Sequence, residues 1–258
     1  MIRRQINAVI TAVQFLTRLP LPGGMNRPDA DLTLLRSAVI FFPLVGGLIG
    51  LVTGSVVWAA LHVWRPFVAV TVGLIAEALL TGGFHEDAVA DCCDAFGGGW
   101  TRDDVLRIMK DSRVGSFGAL GLMLAVLLRG GCLLALPADH LIPAVVASAV
   151  VGRWAILLLM AVSQPVPHRD GLAKDVAQRI GWPELVVGTL LALPGIVVIG
   201  WAEPVPTGLG VTAVAVVALI WTGYVLGRIG GMTGDCLGCG CYLGQCVFLL
   251  AITAGVGQ

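Results

Sequence analysis

Apolar residues run along this chain in blocks far longer than a soluble helix needs, and polar positions gather in short stretches between them. Seven blocks, near 38–61, 67–84, 115–136, 141–162, 185–202, 205–226 and 242–257, are long enough or nearly so to cross about 30 Å of hydrocarbon at about 20 residues each. The pattern predicts an all-α fold, a polytopic membrane bundle of about seven transmembrane helices. Pro194 and Gly195 mark 185–202 as the span expected to kink or fall short. Ahead of the first block, MIRRQINAVITAVQFLTRLPLP mixes basic and apolar positions and is broken by Gln5, Asn7, Gln14 and Arg18. With no small-residue cleavage site, it reads as an N-terminal amphipathic helix at the interface. The expected organisation is one membrane domain over 1–258, with an interfacial or cytoplasmic segment at 1–36, a cytoplasmic catalytic loop at 85–114 and a Gly-rich cytoplasmic loop at 227–241.

Composition agrees: 57% of the 258 residues are apolar, 12% are charged and mean hydropathy is +0.91, against about 45–50% apolar and 25% charged in soluble domains. Lysine plus arginine equals aspartate plus glutamate at 16 each, so no overall positive field argues for nucleic acid. Placement matters more than the sum. Basic residues in short loops stay on the cytoplasmic side. With the N-terminus cytoplasmic, that side receives Arg3, Arg4, Arg18, Arg27, Arg36, Arg102, Arg107, Lys110, Arg113, Arg169, Lys174, Arg179 and Arg228. Arg65 falls outside, and Arg129 and Arg153 fall within spans.

The densest chemistry lies in TGGFHEDAVADCCDAFGGGWTRDDVLRIMKDSRVGSFG, residues 81–118, with seven acids and four basic residues. If a helix continues from the second span, Asp87, Asp91 and Asp94 stand at i, i+4 and i+7 on one face. Stacked carboxylates repel, and a hard cation such as Mg²⁺ would compensate them. A solvated acidic face is the competing reading. Lys110, Ser112 and Arg113 precede a glycine-spaced helix start and suit phosphate, or else serve only as topology anchors. GRIGGMTGDCLGCGCYLGQ at 227–245 permits close backbone approach, and its Asp235 either caps a helix or reaches a shared cation.

Cys236, Cys239 and Cys241 form C-x-x-C-x-C beside no second pair, and Cys92 and Cys93 flank oxygen ligands, so buried reduced thiols are favoured over a thiolate metal site. Glu77, Arg129 and Arg153 are intramembrane ionisable groups and hence functional candidates. Glu77 is expected to pair with a neighbouring helix, and Arg153 to meet an anionic substrate or a buried acid. Of the histidines, His85 stands nearest the acids and suits a base, ligand or donor.

GGFHEDAVAD at 82–91 with Asp94, IMKDSRVGSFG at 108–118, GRW at 152–154 and TGDCLG at 233–238 resemble the ordered motifs of the cobalamin synthase family, the adenosylcobinamide-GDP ribazoletransferases. RLPLP at 18–22 and FFPLVGGLIG at 41–50 extend the likeness over nearly the whole chain. The resemblance implies a multi-pass bacterial inner-membrane enzyme, with its site on the cytoplasmic face. Such an enzyme uses Mg²⁺ to join α-ribazole, or its 5′-phosphate, to adenosylcobinamide-GDP with release of GMP. It further implies Asp87, Asp91, Asp94 and Asp235 as metal ligands, His85 or Asp87 in catalysis, and Lys110, Ser112, Arg113 and Arg153 on substrate phosphate. Self-association or docking of other corrinoid-pathway enzymes is compatible with it. The chain departs from the family pattern His-Leu-Asp-Gly-Leu-Ala-Asp at Glu86, Ala88 and Val89, and has Ala95 where glycine is common. Tyr242 and Gln245 stand where acids are frequent. A transporter or cation channel built on the same glycines and acids is the alternative, and would place its acids at the midplane.

Overall fold

The computed structural model describes residues 2–21, 32–167 and 179–256. Arg27, Arg169 and Lys174 lie outside these residues. The described elements are helices: α1 (Ile2–Leu16), α2 (Leu32–Ala38) leading through a 3₁₀ turn into α3 (Phe42–Leu61), α4 (Pro66–Thr81), α5 (Phe84–Gly98), α6 (Arg102–Ile108), α7 (Ser116–Ala135), α8 (Ala138–Val162), α9 (Trp182–Gly200), α10 (Pro204–Ile229) and α11 (Gly234–Val256). Six stretches are long and apolar enough to cross a membrane, with α4 and α5 forming one further, broken element. This is the architecture of a multi-pass membrane protein. α9 is continuous through Pro194 and, at 19 residues, is the shortest of the six.

α8 is the central post, buried along most of its length. Lipid offers no hydrophobic drive for two apolar helices to associate, so close packing of small residues must supply it. Gly46, Gly50 and Gly54 line one stripe of α3 and let it press on α8. A Cβ at Gly46 would come within 2.6 Å of the Ala149 carbonyl oxygen, and one at Gly50 within 2.7 Å of the Val146 Cα. On the other side, Gly152 of α8 admits α11, where a Cβ would meet the Cys241 carbonyl oxygen at 2.8 Å.

Two details correct the sequence reading and position everything that follows. α5 does not continue the second span. Gly82 and Gly83 both adopt left-handed backbone, φ 74° and 66°, which only glycine tolerates without cost, and α5 leaves α4 at 89°. The backbone N–H of Arg18 donates to the Leu80 carbonyl at 2.7 Å, so the end of the N-terminal segment braces this hinge. The second correction concerns 227–241. It is helical on both sides of a turn of four residues, 230–233, because α11 already begins at Gly234. The Thr233 hydroxyl accepts from the Cys236 N–H at 3.1 Å, a side-chain cap of the usual kind.

A candidate phosphoryl-transfer site on the bent helix

α5 has two unlike sides. Successive helical residues turn by about 100°, so Asp87, Asp91 and Asp94 share a face. Asp87 is exposed, and Asp91 and Asp94 are half-buried. Asp235, in the first turn of α11, is also half-buried. Asp91 lies within the electrostatic reach of Asp87, Asp235 and Asp94 together, so the fold gathers four carboxylates from two helices. Among the described residues, no three His, Cys, Asp or Glu side chains close into a coordination shell.

Asp94 differs from the other three. One of its oxygens accepts the Gly115 N–H at 2.6 Å and the other accepts the Gly118 N–H at 2.7 Å. It therefore caps α7 from across the chain, satisfying two amides that a helix start leaves unpaired. Glycine is required at both partners: a Cβ on residue 115 or 118 would run into the Asp94 carboxylate.

His85, two residues before Asp87, is turned about 200° away from it and is buried, 2% exposed. Its Nδ1 faces Arg153 Nη2 at 3.5 Å, and its Nε2 has no partner among the described residues. A guanidinium only donates, so Nδ1 is the acceptor and the ring carries its proton on Nε2. His85 thus points into the bundle, away from the carboxylate face. Arg153 is fully buried, with its Nη1 directed at the Ala149 carbonyl at 3.5 Å, and makes no ion pair among the described residues. It is out of contact with solvent, and the buried acid that the sequence offered as one of its two partners is not there among the described residues.

Glu77 does pair with a neighbouring helix. Arg129 of α7 donates through Nη2 to both its oxygens at 2.9 and 2.7 Å, and the Thr53 hydroxyl adds a bond at 3.0 Å. Glu86, one of the departures from the family pattern, lies 3.9 Å from Arg129 Nη1, and the guanidinium sits 5.5 Å from the Tyr242 ring centre. Two carboxylates and a π face thus compensate one arginine. Gln245 is buried. The seven cysteines are free thiols, six of them buried; those of C-x-x-C-x-C line α11 within the core.

Of the cations assigned to phosphate, Lys110, Ser112 and Arg113 are all exposed between α6 and α7. Only Arg113 lines the polar basin there, a cavity of about 440 Å³ that also includes Asp94, Arg107, Asp111 and Ser116. Arg113 binds Asp111 through Nε and Nη2, at 2.6 to 3.1 Å, and this partner holds the Asp111 carboxyl down at about 2. Arg107 and Ser116 were not singled out by the sequence. The i,i+3 spacing of Arg107 and Lys110 was the available signal, and only the fold shows which of the two turns into the basin.

Acids on one helix face and cations at the next helix start are the parts a phosphate-transferring enzyme needs, and the comparisons with known proteins agree. A family profile described as cobalamin-5-phosphate synthase matches residues 8–253. Curated relatives named adenosylcobinamide-GDP ribazoletransferase include those of Ralstonia pickettii (strain 12J), 40% identical over 99% of this chain and 96% of the relative, and Ralstonia nicotianae, 38% identical over 97% and 95%. One from Shewanella frigidimarina is 36% identical over 98% and 97%. No solved structure matches. Similarity of this extent, running through the hinge, the acidic helix and the α11 cap alike, makes the chain a member of the cobalamin-5-phosphate synthase family.

Proposed function

We infer that this protein is an adenosylcobinamide-GDP ribazoletransferase, which joins α-ribazole or its 5′-phosphate to adenosylcobinamide-GDP and releases GMP. The observation that carries this is the end-to-end similarity to relatives of that name. The cation-path alternative is not favoured, since the relatives that match this chain end to end are named as transferases.

In this reaction a ribose hydroxyl attacks the phosphorus bonded to the cobinamide arm. A new P–O bond forms, the bond to the bridging oxygen breaks, and its electron pair leaves with GMP. Catalysis of such transfers is mainly positioning and charge compensation. The carboxylate set is all oxygen and carries an excess of negative charge, which fits Mg²⁺. Asp87, Asp91 and Asp235 would hold it, with Asp94 contributing less because each of its oxygens already accepts an amide. When bound, the ion would supply positive charge to the phosphoryl oxygens. The hydroxyl proton passes to a carboxylate of this face, since His85 is turned into the bundle. The cations ahead of α7, Lys110 and Arg113, supply charge to substrate phosphates, and Ser112 lies between them. His85 and Arg153 act from within, by fixing how α5 sits on the core. The site faces the cytoplasm across the bacterial inner membrane, by the placement of basic residues.

The test is to incubate detergent-purified protein with adenosylcobinamide-GDP, α-ribazole and Mg²⁺, and to follow GMP and the completed corrinoid. GMP release that stops on chelation and returns with Mg²⁺ supports the reading. Turnover that is indifferent to chelation refutes the metal assignment, and no corrinoid product refutes the activity.

A further inference from the structure

Beneath α5, on the side away from the carboxylates, lies an apolar groove of about 630 Å³. Its roof is Val89, Cys93 and Phe96 of α5, one wall is α7 from Phe117 downwards, and Trp221 and Tyr224 of α10 stand opposite. The polar basin described above meets it at a single side chain. Phe117 lines both cavities, and the adjacent Gly97 and Gly98 line one each. A Cβ at Gly97 would lie 2.8 Å from the Phe117 ring, so the absence of a side chain there leaves room for that ring at the junction.

The two cavities differ in chemistry. The basin offers guanidinium N–H groups that contacts among the described residues do not use: Arg107 engages Asp104 only through Nη2, at 3.4 Å, and Arg113 engages Asp111 through Nε and Nη2. The groove offers ring faces and aliphatic walls. A ligand filling both must carry an anionic group at one end and a flat apolar ring system at the other. A guanine base does not fit the second requirement, because its several polar edges would be buried without partners. The alkylated benzimidazole of an α-ribazole does, and its 5′-phosphate fits the first.

Resting on the activity inferred above, we propose that this pair of cavities is the subsite for the ribazole nucleotide. Arg107 and Arg113 receive the 5′-phosphate, and the apolar base passes Phe117 to stack in the groove. Asp94 and Gly98 line the basin and Phe96 and Gly97 the groove, so the ribose between the two ends lies against the C-terminal end of α5. Arg107 then sets the preference for the phosphorylated nucleoside over the free one.

The experiment is steady-state kinetics of the full-length protein in detergent with Mg²⁺, varying adenosylcobinamide-GDP, α-ribazole and α-ribazole 5′-phosphate in turn. Wild-type turnover tests the activity itself, and the variants test the subsite. One charge-assisted bond to phosphate corresponds to about tenfold or more in affinity. Arg107→Met should therefore raise KM for the 5′-phosphate by about that factor and leave KM for free α-ribazole and for adenosylcobinamide-GDP unchanged. Arg107→Lys, which keeps the charge, should restore most of the preference. Leu124→Trp, which fills the groove from an exposed position on its wall, should raise KM for both nucleosides and spare adenosylcobinamide-GDP. Equal effects of Arg107→Met on both nucleosides would overturn the proposal. So would an unchanged nucleoside KM in Leu124→Trp together with loss of a co-purifying phospholipid in native mass spectrometry, which would assign the groove to a lipid chain.

Discussion

Replacing Asp94 separates a cap from a metal ligand, because the two roles fail differently. Its carboxylate accepts the Gly115 and Gly118 amides at 2.6 and 2.7 Å, short bonds of the charge-assisted kind. Hydrogen bonds to charged groups contribute about 1.5–3 kcal/mol each, and N-caps lose about 0.5–2 kcal/mol when removed. The half-exposed setting of Asp94 puts both bonds near the lower end. Asp94→Ala should therefore destabilise the protein by about 2–3 kcal/mol. Asp94→Asn retains one carbonyl acceptor and turns an NH₂ towards the other amide, so about 1–2 kcal/mol is expected. Asp87→Asn is the control: Asp87 is exposed, and an exposed isosteric change should cost under about 0.5 kcal/mol while turnover is lost. Denaturant unfolding of the three variants in one detergent, beside GMP release, measures both quantities. Equal stability of Asp94→Asn and Asp87→Asn, with equal loss of turnover, would refute the cap and return Asp94 to the metal.

Arg129→Met leaves the buried Glu77 carboxylate without its ion pair and should cost about 3–5 kcal/mol, whereas Glu77→Gln leaves Arg129 with Glu86 at 3.9 Å and should cost less. The double variant should cost clearly less than the sum, as a double-mutant cycle on unfolding would read. Gly83→Ala puts a side chain at φ 66° with no neighbour near its Cβ, so the expected loss is the backbone term of about 1–2 kcal/mol. Gly82→Ala should lose about the same, because the Arg18 guanidinium that its Cβ would meet is the far end of an exposed, flexible side chain and can swing aside; the same unfolding assay compares them. Asp111 has its carboxyl depressed to about 2 by Arg113, so the pair is complete above the ordinary carboxylate range and is lost only as pH falls through about 2. Asp111→Asn should accordingly leave the shape of the pH–rate profile across neutral pH unchanged.

Much of the bundle was legible because a membrane span announces itself locally. Residues 115–136 and 205–226 were placed within a few residues of α7 and α10, as no polar backbone group can go unpaired in hydrocarbon and only a long apolar helix meets that demand. The acid triad was legible from helical spacing alone. The orientation of His85 was not legible, because nearness in sequence is not nearness in space and two residues of helix turn a side chain to the other side. The burial of Arg153 was not legible either: its helix is the most enclosed of all, and burial depends on neighbours that its own segment does not encode. The loop expected at 227–241 failed because glycines that permit irregular backbone equally permit helices to touch. Gly240 packs against Leu159 and Trp221.

By itself, the sequence determined that this is a membrane bundle, where its apolar spans run, and that three carboxylates share a helix face. These are local properties, fixed by composition and by 3.6 residues per turn. Only the tertiary structure decided that the acidic helix turns through 89° at Gly82 and Gly83, that Asp94 is spent capping α7, and that Arg107 rather than Lys110 enters the basin. Each of these depends on where a second, distant segment lies against the first, and no periodicity along one segment records that.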